Sequence, residues 1–314
     1  MAEPQANRVV YGRTLVELGE RDPRIVVLDA DVAKSTNTCQ FRDRFPDRFF
    51  NCGVAEQNMI CVAAGLATAG KIPFASTFVV FASMRACEQI RTSVAYPRLN
   101  VKIVATNGGL DNYGDGVTHQ GIEDLAIMRA IPNLMVVSPA DPVTTAKAVR
   151  AIAAYDGPVY LRLGRNAANV VHSPGVEFQL GKMIRLRDGN DLTLIATGHQ
   201  VEQALLAAAE LAAEGIQARV LDCHTIKPID AEAIEAAARE TAGIVTVEDH
   251  NIVGGLGSAV AEVVAERHPT FVRRVGVRDV FASSARDARK LLAHYQVDAA
   301  QVVRQAKAIL ERES

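Results

Sequence analysis

The sequence lacks several features that would place it in a specialised class of protein. Its 34 Lys and Arg residues nearly balance its 36 Asp and Glu residues, so no charge excess marks a surface for nucleic acid or an anionic membrane. Its five cysteines form no C-x-x-C pair, which disfavours a disulfide framework or a thiolate zinc site and suits the cytoplasm. The N-terminus has no apolar signal-like region, and Lys71 and Pro73 interrupt the longest nearly uncharged stretch.

What remains is a globular composition, 49% hydrophobic and 22% charged, over 314 residues. This composition excludes disorder, collagen and coiled coil as descriptions of the whole chain. At about 100–200 residues per domain, the length favours two domains. Two successive patterns of strands and helices are therefore expected.

Short β-branched segments alternate with Ala-rich helical segments along the chain. Predicted strands cover 25–28, 72–76, 101–105, 134–137 and 159–163, and then 192–196, 218–222, 243–247 and 271–277. Such alternation predicts two α/β domains, each built on a parallel sheet covered by helices. The rhythm breaks once, in a Gly- and Pro-containing stretch. We predict a first domain at 1–166, a linker at 167–190 and a second domain at 191–314.

The first candidate cluster is Asn-Cys-Gly-Val-Ala-Glu-Gln-Asn at 51–58. Glu56 opens a predicted helix that has almost no charge. An acidic residue in a first helical turn often only complements the helix dipole. In this uncharged setting, however, the carboxyl is expected to be poorly solvated and able to hold or share a proton.

The second cluster spans 77–91, where Phe78 and Phe81 are predicted to share one face of a helix with Arg85. Two core aromatics are the simpler interpretation. The functional alternative is an aromatic surface on which a flat heterocycle stacks.

The third cluster is the Gly-, Asp- and Asn-rich segment 108–124, which follows a predicted strand. Loops at the carboxyl ends of parallel strands commonly carry function. Asp115 and His119 offer an acceptor and an acid/base group to a polyol. A glycine-rich turn with a capping Asp is the structural alternative.

Taken in order and spacing, these clusters resemble the transketolase family of thiamine diphosphate enzymes. The resembling motifs include Gly-Val-Ala-Glu-Gln-Asn at 53–58, Asp-Gly-Val-Thr-His-Gln at 115–120, Ser-Pro-Ala-Asp at 138–141 and Leu-Arg-Leu-Gly-Arg at 161–165, with Thr-Val-Glu-Asp-His-Asn at 246–251. The resemblance covers only the family's pyrimidine-binding and C-terminal domains. It implies the C-terminal subunit of a split transketolase, which transfers a two-carbon ketol unit between sugar phosphates.

The resemblance also implies roles for individual residues. Glu56 matches the glutamate that contacts the aminopyrimidine N1′ and controls its tautomer, so that the cofactor itself relays a proton. Phe81 and Phe78 match aromatic contacts of the pyrimidine, and Asp115 and His119 match a pair that binds the donor's hydroxyls. Further matches are Asp31 near the cofactor, and Ser35, Arg165 and Arg8 as phosphate ligands, although each arginine alone also suits a solvated surface.

One position departs from the family pattern. Asn107 stands where relatives have a histidine directed at the substrate phosphate. Because asparagine cannot become cationic, an atypical sugar phosphate or a sulfonate donor fits as well as a pentulose phosphate. The histidines His199, His224, His250, His268 and His294 show no ligand spacing, and we interpret them as structural.

The resemblance finally implies a partner. Gly-Asp-Gly at 114–116 resembles the start of a magnesium–diphosphate motif, but no Asn completes it at 141–145. Thiamine diphosphate and Mg²⁺ would therefore need a separate N-terminal subunit, in a heterotetramer of two plus two chains in which this chain also self-associates. Alternatives are a 1-deoxyxylulose-phosphate synthase-like enzyme that uses pyruvate, a 2-oxo acid dehydrogenase β subunit, and a non-catalytic scaffold.

Overall fold

The first part of the chain alternates strands and helices. The computed structural model describes residues 3–311. Its elements up to residue 168 are β1 (Gln5–Ala6), α1 (Asn7–Arg21), β2 (Ile25–Asp29), α2 (Ala33–Thr36), α3 (Cys39–Arg44), β3 (Phe49–Asn51), α4 (Glu56–Thr68), β4 (Ile72–Phe78), α5 (Cys87–Gln89), β5 (Lys102–Thr106), α6 (Asp124–Ala130), β6 (Met135–Val137), α7 (Pro142–Ala154), β7 (Val159–Arg162) and β8 (Ala167–Ala168).

The second part continues the alternation. Its elements are β9 (Ile184–Arg187), β10 (Leu192–Ala196), α8 (Gln200–Ala213), β11 (Ala218–Asp222), β12 (Thr225–Lys227), α9 (Ala231–Glu240), β13 (Gly243–Asn251), α10 (Leu256–Arg267), β14 (Phe271–Val277), α11 (Ala288–His294) and α12 (Ala299–Leu310). No helix within residues 3–311 has both the length and the apolar character that a membrane crossing requires.

Two sheets form the framework, as the alternation predicted. The first has seven strands in the order β12-β6-β7-β5-β4-β2-β3, and the second has five in the order β14-β13-β10-β11-β9. Strands β2, β4, β5 and β7 are buried along their whole length, because helices cover both faces of the first sheet. The predicted α/β fold is confirmed.

The edges of the sheets differ from the parallel pattern that the sequence predicted. Strand β9, inside the stretch predicted as linker, pairs antiparallel with β11 in the second sheet. Strand β12 pairs antiparallel with β6, so a segment of the second half completes the first sheet. Both strands are short, only four and three residues, and the period-2 signal of such strands is weak.

The segment that follows β4 also differs from its prediction. Phe78 is not on a helix with Phe81, because β4 continues through Phe78, which lies opposite Thr106 of β5. Two π-helical turns follow at 81–85 and 90–95, on either side of α5. Such turns are rare and occur often at functional sites.

Candidate active site

The carboxyl ends of β2, β4, β5 and β7 open into one cavity of about 600 Å³, which we call the central cavity. The central cavity is lined by Arg8, Val32, Lys34, Ser35, Phe78, Asn107, Asp115, His119 and Arg165. Seven of the ten candidate residues from the sequence therefore meet in one place, as expected for the carboxyl edge of a parallel sheet. The other three are Glu56, Phe81 and Asp31.

Two aromatic rings extend from the wall of this cavity. The rings of Phe78 and Phe81 stack with their centroids 5.9 Å apart and their planes 20° apart. His119 meets both rings edge-on, at 6.0 Å and 5.4 Å. The aromatic pair and the imidazole thus form one continuous surface, although the strand boundary falls between the two phenylalanines.

Glu56 lies beyond Phe81, at the first position of α4. Its side chain is only 2% exposed, and the Oε2 atom accepts a hydrogen bond from Nη1 of Arg85 at 2.8 Å. The guanidinium of Arg85 also lies over the Phe81 ring, 4.4 Å from its centroid. The buried carboxyl is as the uncharged helix predicted, but its cationic partner was not anticipated.

Asp31 lies outside the central cavity. It lines an adjoining recess of about 560 Å³, which we call the side recess, together with Lys34, Arg42, Phe49 and other residues of the segment 31–51. Asp31 has a positive φ of 64° and accepts a hydrogen bond from Asn51 at 2.8 Å. Val32, Lys34 and Ser35 line both cavities. The turn that carries these residues therefore lies between the central cavity and the side recess.

The loop after β5 presents the polar groups of the central cavity. Arg165 donates hydrogen bonds to the side-chain oxygens of Asn112, at 2.8 Å, and of Asp115, at 3.1 Å. Asn112 in turn donates to the carbonyl of His119 at 3.0 Å. Asn107 is buried with a positive φ, and its Oδ1 atom has no hydrogen-bond partner within residues 3–311.

Arg8 reaches the same place from α1. It donates to the carbonyls of Arg165, at 2.9 Å, and of Ser35, at 2.8 Å. Burial lowers the pKa of Arg8, and the nearby positive charge of Arg165 lowers it further. The two arginines therefore crowd together, as in a site that receives an anion.

The second domain also contacts the loop after β5, through Asp249. Asp249 at the end region of β13 accepts hydrogen bonds from the backbone N–H of Leu110, at 2.8 Å, and of Asp111, at 3.1 Å, and pairs with His199 at 3.0 Å. Burial favours a higher pKa for Asp249, but His199 and Arg162 outweigh it and lower that pKa. Sequence reasoning missed this role and interpreted His199 as merely structural; the acidic segment 248–249 was the available signal.

Asp111 fixes the other side of the loop. Its carboxylate accepts from the backbone N–H of Asn166, at 2.9 Å, and from the side-chain amide of the same residue, at 2.7 Å, and it also accepts from the backbone N–H of Arg165. Among residues 3–311, no group of three or more His, Cys, Asp or Glu side chains is arranged to hold a metal ion.

Comparisons with known proteins identify the family of both parts of the chain. Residues 3–170 match the family model "Transketolase, pyrimidine binding domain", and residues 181–302 match "Transketolase, C-terminal domain". A putative transketolase C-terminal section of Methanocaldococcus jannaschii is 51% identical, over 96% of this chain and 94% of that protein. A 6-deoxy-6-sulfo-D-fructose transketolase subunit of Clostridium sp. is 46% identical, over 98% and 95%.

Solved structures show the same relationship. A split-gene transketolase, described as an inactive β4 tetramer, superposes with a TM-score of 0.90 at 50% identity, covering 98% of this chain and 99% of that one. The transketolase of Campylobacter jejuni superposes with a TM-score of 0.84 at 21% identity, which shows the common fold, but only 47% of its chain is covered. The fold and these matches define a protein of a thiamine diphosphate-dependent class. The chain belongs to the transketolase family, of which it carries the pyrimidine-binding and C-terminal domains.

Proposed function

We propose that this chain is the subunit of a two-subunit transketolase that contributes the pyrimidine pocket and the sugar-binding loop. The enzyme transfers a two-carbon ketol unit from a ketose phosphate to an aldose phosphate. The observation that carries this proposal is that one cavity brings together Phe78, which stacks on Phe81, with Asp115, His119 and a cluster of cations. Transketolases depend on thiamine diphosphate.

The residues present fit the aminopyrimidine of that cofactor. The stacked rings of Phe78 and Phe81 suit a flat heterocycle. The buried carboxyl of Glu56, which Arg85 links to the Phe81 ring, suits a ring nitrogen. Glu56 would hold a proton at that nitrogen, and Arg85 lies within hydrogen-bond distance of the same carboxyl. When bound, thiamine diphosphate supplies the nucleophilic carbon that takes up and hands on the ketol unit.

Substrate contacts are assigned to the rest of the central cavity. Asp115 and His119 bind and orient the donor's hydroxyls, with His119 also able to move a proton. Arg165, Arg8 and Ser35 bind the distal anion, and Asn107 contributes a neutral amide beside it. Asp31, in the side recess, is assigned to the margin of the cofactor site at the subunit boundary.

A second subunit completes the enzyme in this proposal. The two matched domains correspond to less than half of a single-chain transketolase, and the similar split-gene tetramer is described as inactive. We assign the diphosphate site and Mg²⁺ to an N-terminal subunit, in a heterotetramer of two plus two chains. Self-association is supported by an exposed, uncharged side of α4 that includes Cys61, Val62 and Gly65. The free cysteines within residues 3–311 fit a cytoplasmic enzyme.

The donor is the open choice within this function. Asn107 cannot supply a positive charge to a phosphate, and one similar protein is named for a sulfosugar. A sulfonate-bearing or branched sugar phosphate donor is therefore the second candidate. Pyruvate as donor is less well supported, because Phe81 stands where the synthase branch has a polar or basic residue.

Reconstitution with the N-terminal subunit tests the proposal. With thiamine diphosphate and Mg²⁺, the pair should transfer a ketol unit from at least one phosphoketose or sulfoketose, and pyruvate should not replace that donor. Glu56→Gln should lower kcat by at least about 100-fold, as expected for loss of a proton-transferring group. Glu88→Gln, at an exposed site nearby, is the matched control. A pair that transfers no ketol unit from any donor would refute the transketolase assignment, and an active Glu56→Gln pair would refute the proton role.

A further inference from the structure

The turn that separates the central cavity from the side recess is rigidly built. Asp29, at the end of β2, accepts hydrogen bonds from the backbone N–H of Val32, at 2.6 Å, and from the hydroxyls of Thr36 and Thr38, each at 2.8 Å. Thr36 and Thr38 are themselves fully buried. These three hydrogen bonds fasten both ends of the segment 32–38, which includes α2 and carries Lys34, to the end of β2.

The ammonium group of Lys34, by contrast, is available to bind a ligand. Lys34 is exposed and lines both cavities, and among residues 3–311 its ammonium group has no ion-pair or hydrogen-bond partner. Arg42, the other basic residue of the side recess, is already paired with Asp43 at 2.9 Å. An ammonium group without a protein partner, held at a cavity by a well-anchored backbone, is suited to binding an anion.

The charges in the central cavity point the same way. Three cations line it, against the single carboxylate of Asp115. The guanidinium of Arg165 donates hydrogen bonds to Asp115 and Asn112. Arg8 donates two hydrogen bonds to backbone carbonyls. Both arginines already donate some of their N–H groups to protein oxygens, and Asn107 is neutral. Lys34 is therefore the cation of this cavity whose three donors are all available.

We propose that Lys34 is a specificity-determining residue that binds the tetrahedral anionic group, phosphate or sulfonate, at the distal end of the ketose donor. The proposal rests on the function proposed above and names the substrate class that the same site selects. Lysine is a compact charge on a flexible stem, so it can follow either anion, whereas a bidentate arginine favours one geometry. Lys34 contributes to binding of the distal group and takes no part in the ketol transfer itself.

The test compares a donor that carries the anionic group with the same ketose lacking it, using the reconstituted two-subunit enzyme. Lys34→Gln should raise KM for the anionic donor about 10- to 100-fold, which is the range for one lost charge-assisted hydrogen bond. Its kcat, and the kcat/KM of the neutral donor, should change less than about threefold. Lys34→Arg should recover most of the loss. Lys71→Gln removes an exposed lysine just before β4, at the opposite edge of the sheet, and should leave all constants unchanged.

A phosphate donor and a sulfonate donor form separate arms, and the donor with the larger kcat/KM in the wild-type enzyme identifies the natural anion. An unchanged KM for both donors, or an equal loss with the neutral ketose, would overturn the role of Lys34 while leaving the transketolase assignment intact. Calorimetric titration of the two-subunit complex with inorganic phosphate gives a second readout that needs no turnover. Weaker phosphate binding by Lys34→Gln supports the anion-binding role of Lys34, and equal binding refutes it. Failure of every ketose as donor would instead refute the transketolase assignment.

Discussion

At the scale of single residues, Glu56 shows how a candidate catalytic carboxyl is kept in a place that water hardly reaches. Its burial at the first position of α4 imposes a desolvation cost, which the helix N-terminus and Arg85 partly offset. Arg85 is 47% exposed and also lies over the Phe81 ring, so the pair is buried on one side only. Such a pair holds the negative charge in place and still lets its cation move aside for a ligand.

Removing Arg85 alone should therefore cost stability. Arg85→Gln leaves the carboxylate of Glu56 buried without a cation, and we expect a loss of about 1–3 kcal/mol, less than for a fully buried pair. The double variant Glu56→Gln with Arg85→Gln should regain most of that loss, because the unpaired charge is gone. Thermal unfolding of the isolated chain measures both effects. If the double variant is as unstable as Arg85→Gln, the explanation by an unpaired charge is wrong.

Residue types and spacing were enough to predict much of this site. Glu56 was selected because it opens an uncharged helix, and Asp115 and His119 because their loop follows a predicted strand. Phe78 was selected by a helical spacing to Phe81 that the structure does not have, because Phe78 ends β4. Arg85 was missed as the partner of Glu56 because the two are 29 positions apart, a separation that no local pattern reports. The roles assigned to all ten candidate residues remain predictions until the variants are measured.

At the scale of elements, the loop after β5 depends on the second domain for its shape. Gly109 approaches Asp249 so closely that a Cβ atom would lie 2.2 Å from the Oδ2 atom, and its φ of 71° is in the left-handed region. The carboxylate of Asp249 can then accept the backbone N–H of Leu110 and Asp111 together. Asp249 is thus a positioning residue for the loop that carries Asp115 and His119.

We expect Asp249→Asn to loosen this loop. The amide is uncharged, so it pairs less well with His199 and with two N–H donors at once. Hydrogen exchange in the peptide 107–119 should be about tenfold faster, which corresponds to ~1.4 kcal/mol of lost protection. The kcat/KM should fall by a similar factor for anionic and neutral donors alike, unlike the selective effect expected at Lys34.

The control for this variant is Asp279→Asn, which alters an exposed carboxylate that contacts Asn251. It should change neither the exchange rate nor the kinetics. Unaltered exchange at 107–119 in Asp249→Asn would show that the loop keeps its shape without the charge, and the positioning role would be wrong.

Prediction of the elements succeeded best for strands of the parallel ladders. The strands β10, β11 and β14 have the predicted bounds residue for residue, and each contains apolar residues such as Val, Leu or Ile. The antiparallel strands β9 and β12 were not predicted, because their pairing depends on partners that lie far away in the chain. The domain boundaries at 166 and 191 remain predictions, although β12, from the second half, pairs into the first sheet.

At the scale of the whole molecule, one buried histidine ties both domains to the segment between them. The Nδ1 atom of His172 lies 3.2 Å from Asp141, at the N-terminus of α7, and its Nε2 atom lies 3.2 Å from Asp222, at the end of β11. All three side chains are fully buried. Burial alone would lower the pKa of His172, but the two carboxylates outweigh it and raise that pKa to about 9.

The same contacts make the free energy of unfolding depend on pH. The pKa of His172 is higher in the folded protein than its unfolded value of 6.5. The stabilisation that the charged imidazole gives to the folded state is therefore complete below about pH 6.5 and is lost as the pH rises through about 9. The pKa of Asp141 is lowered to about 2, because hydrogen bonds and the charge of His172 outweigh the effect of burial. Its contribution is therefore present above about pH 4 and is lost as the pH falls towards 2.

His172→Gln should remove the alkaline part of this dependence. Relative to the variant, the wild-type chain should lose about 3 kcal/mol of unfolding free energy between pH 6 and pH 9.5, since each unit of pKa shift corresponds to ~1.4 kcal/mol. Denaturant unfolding at both pH values measures the difference. Buried Lys102, whose pKa burial lowers to about 7, titrates in both proteins and cancels in the comparison. If the gap between wild type and variant is the same at both pH values, His172 is not charged in the folded protein, and the domains are joined by packing alone.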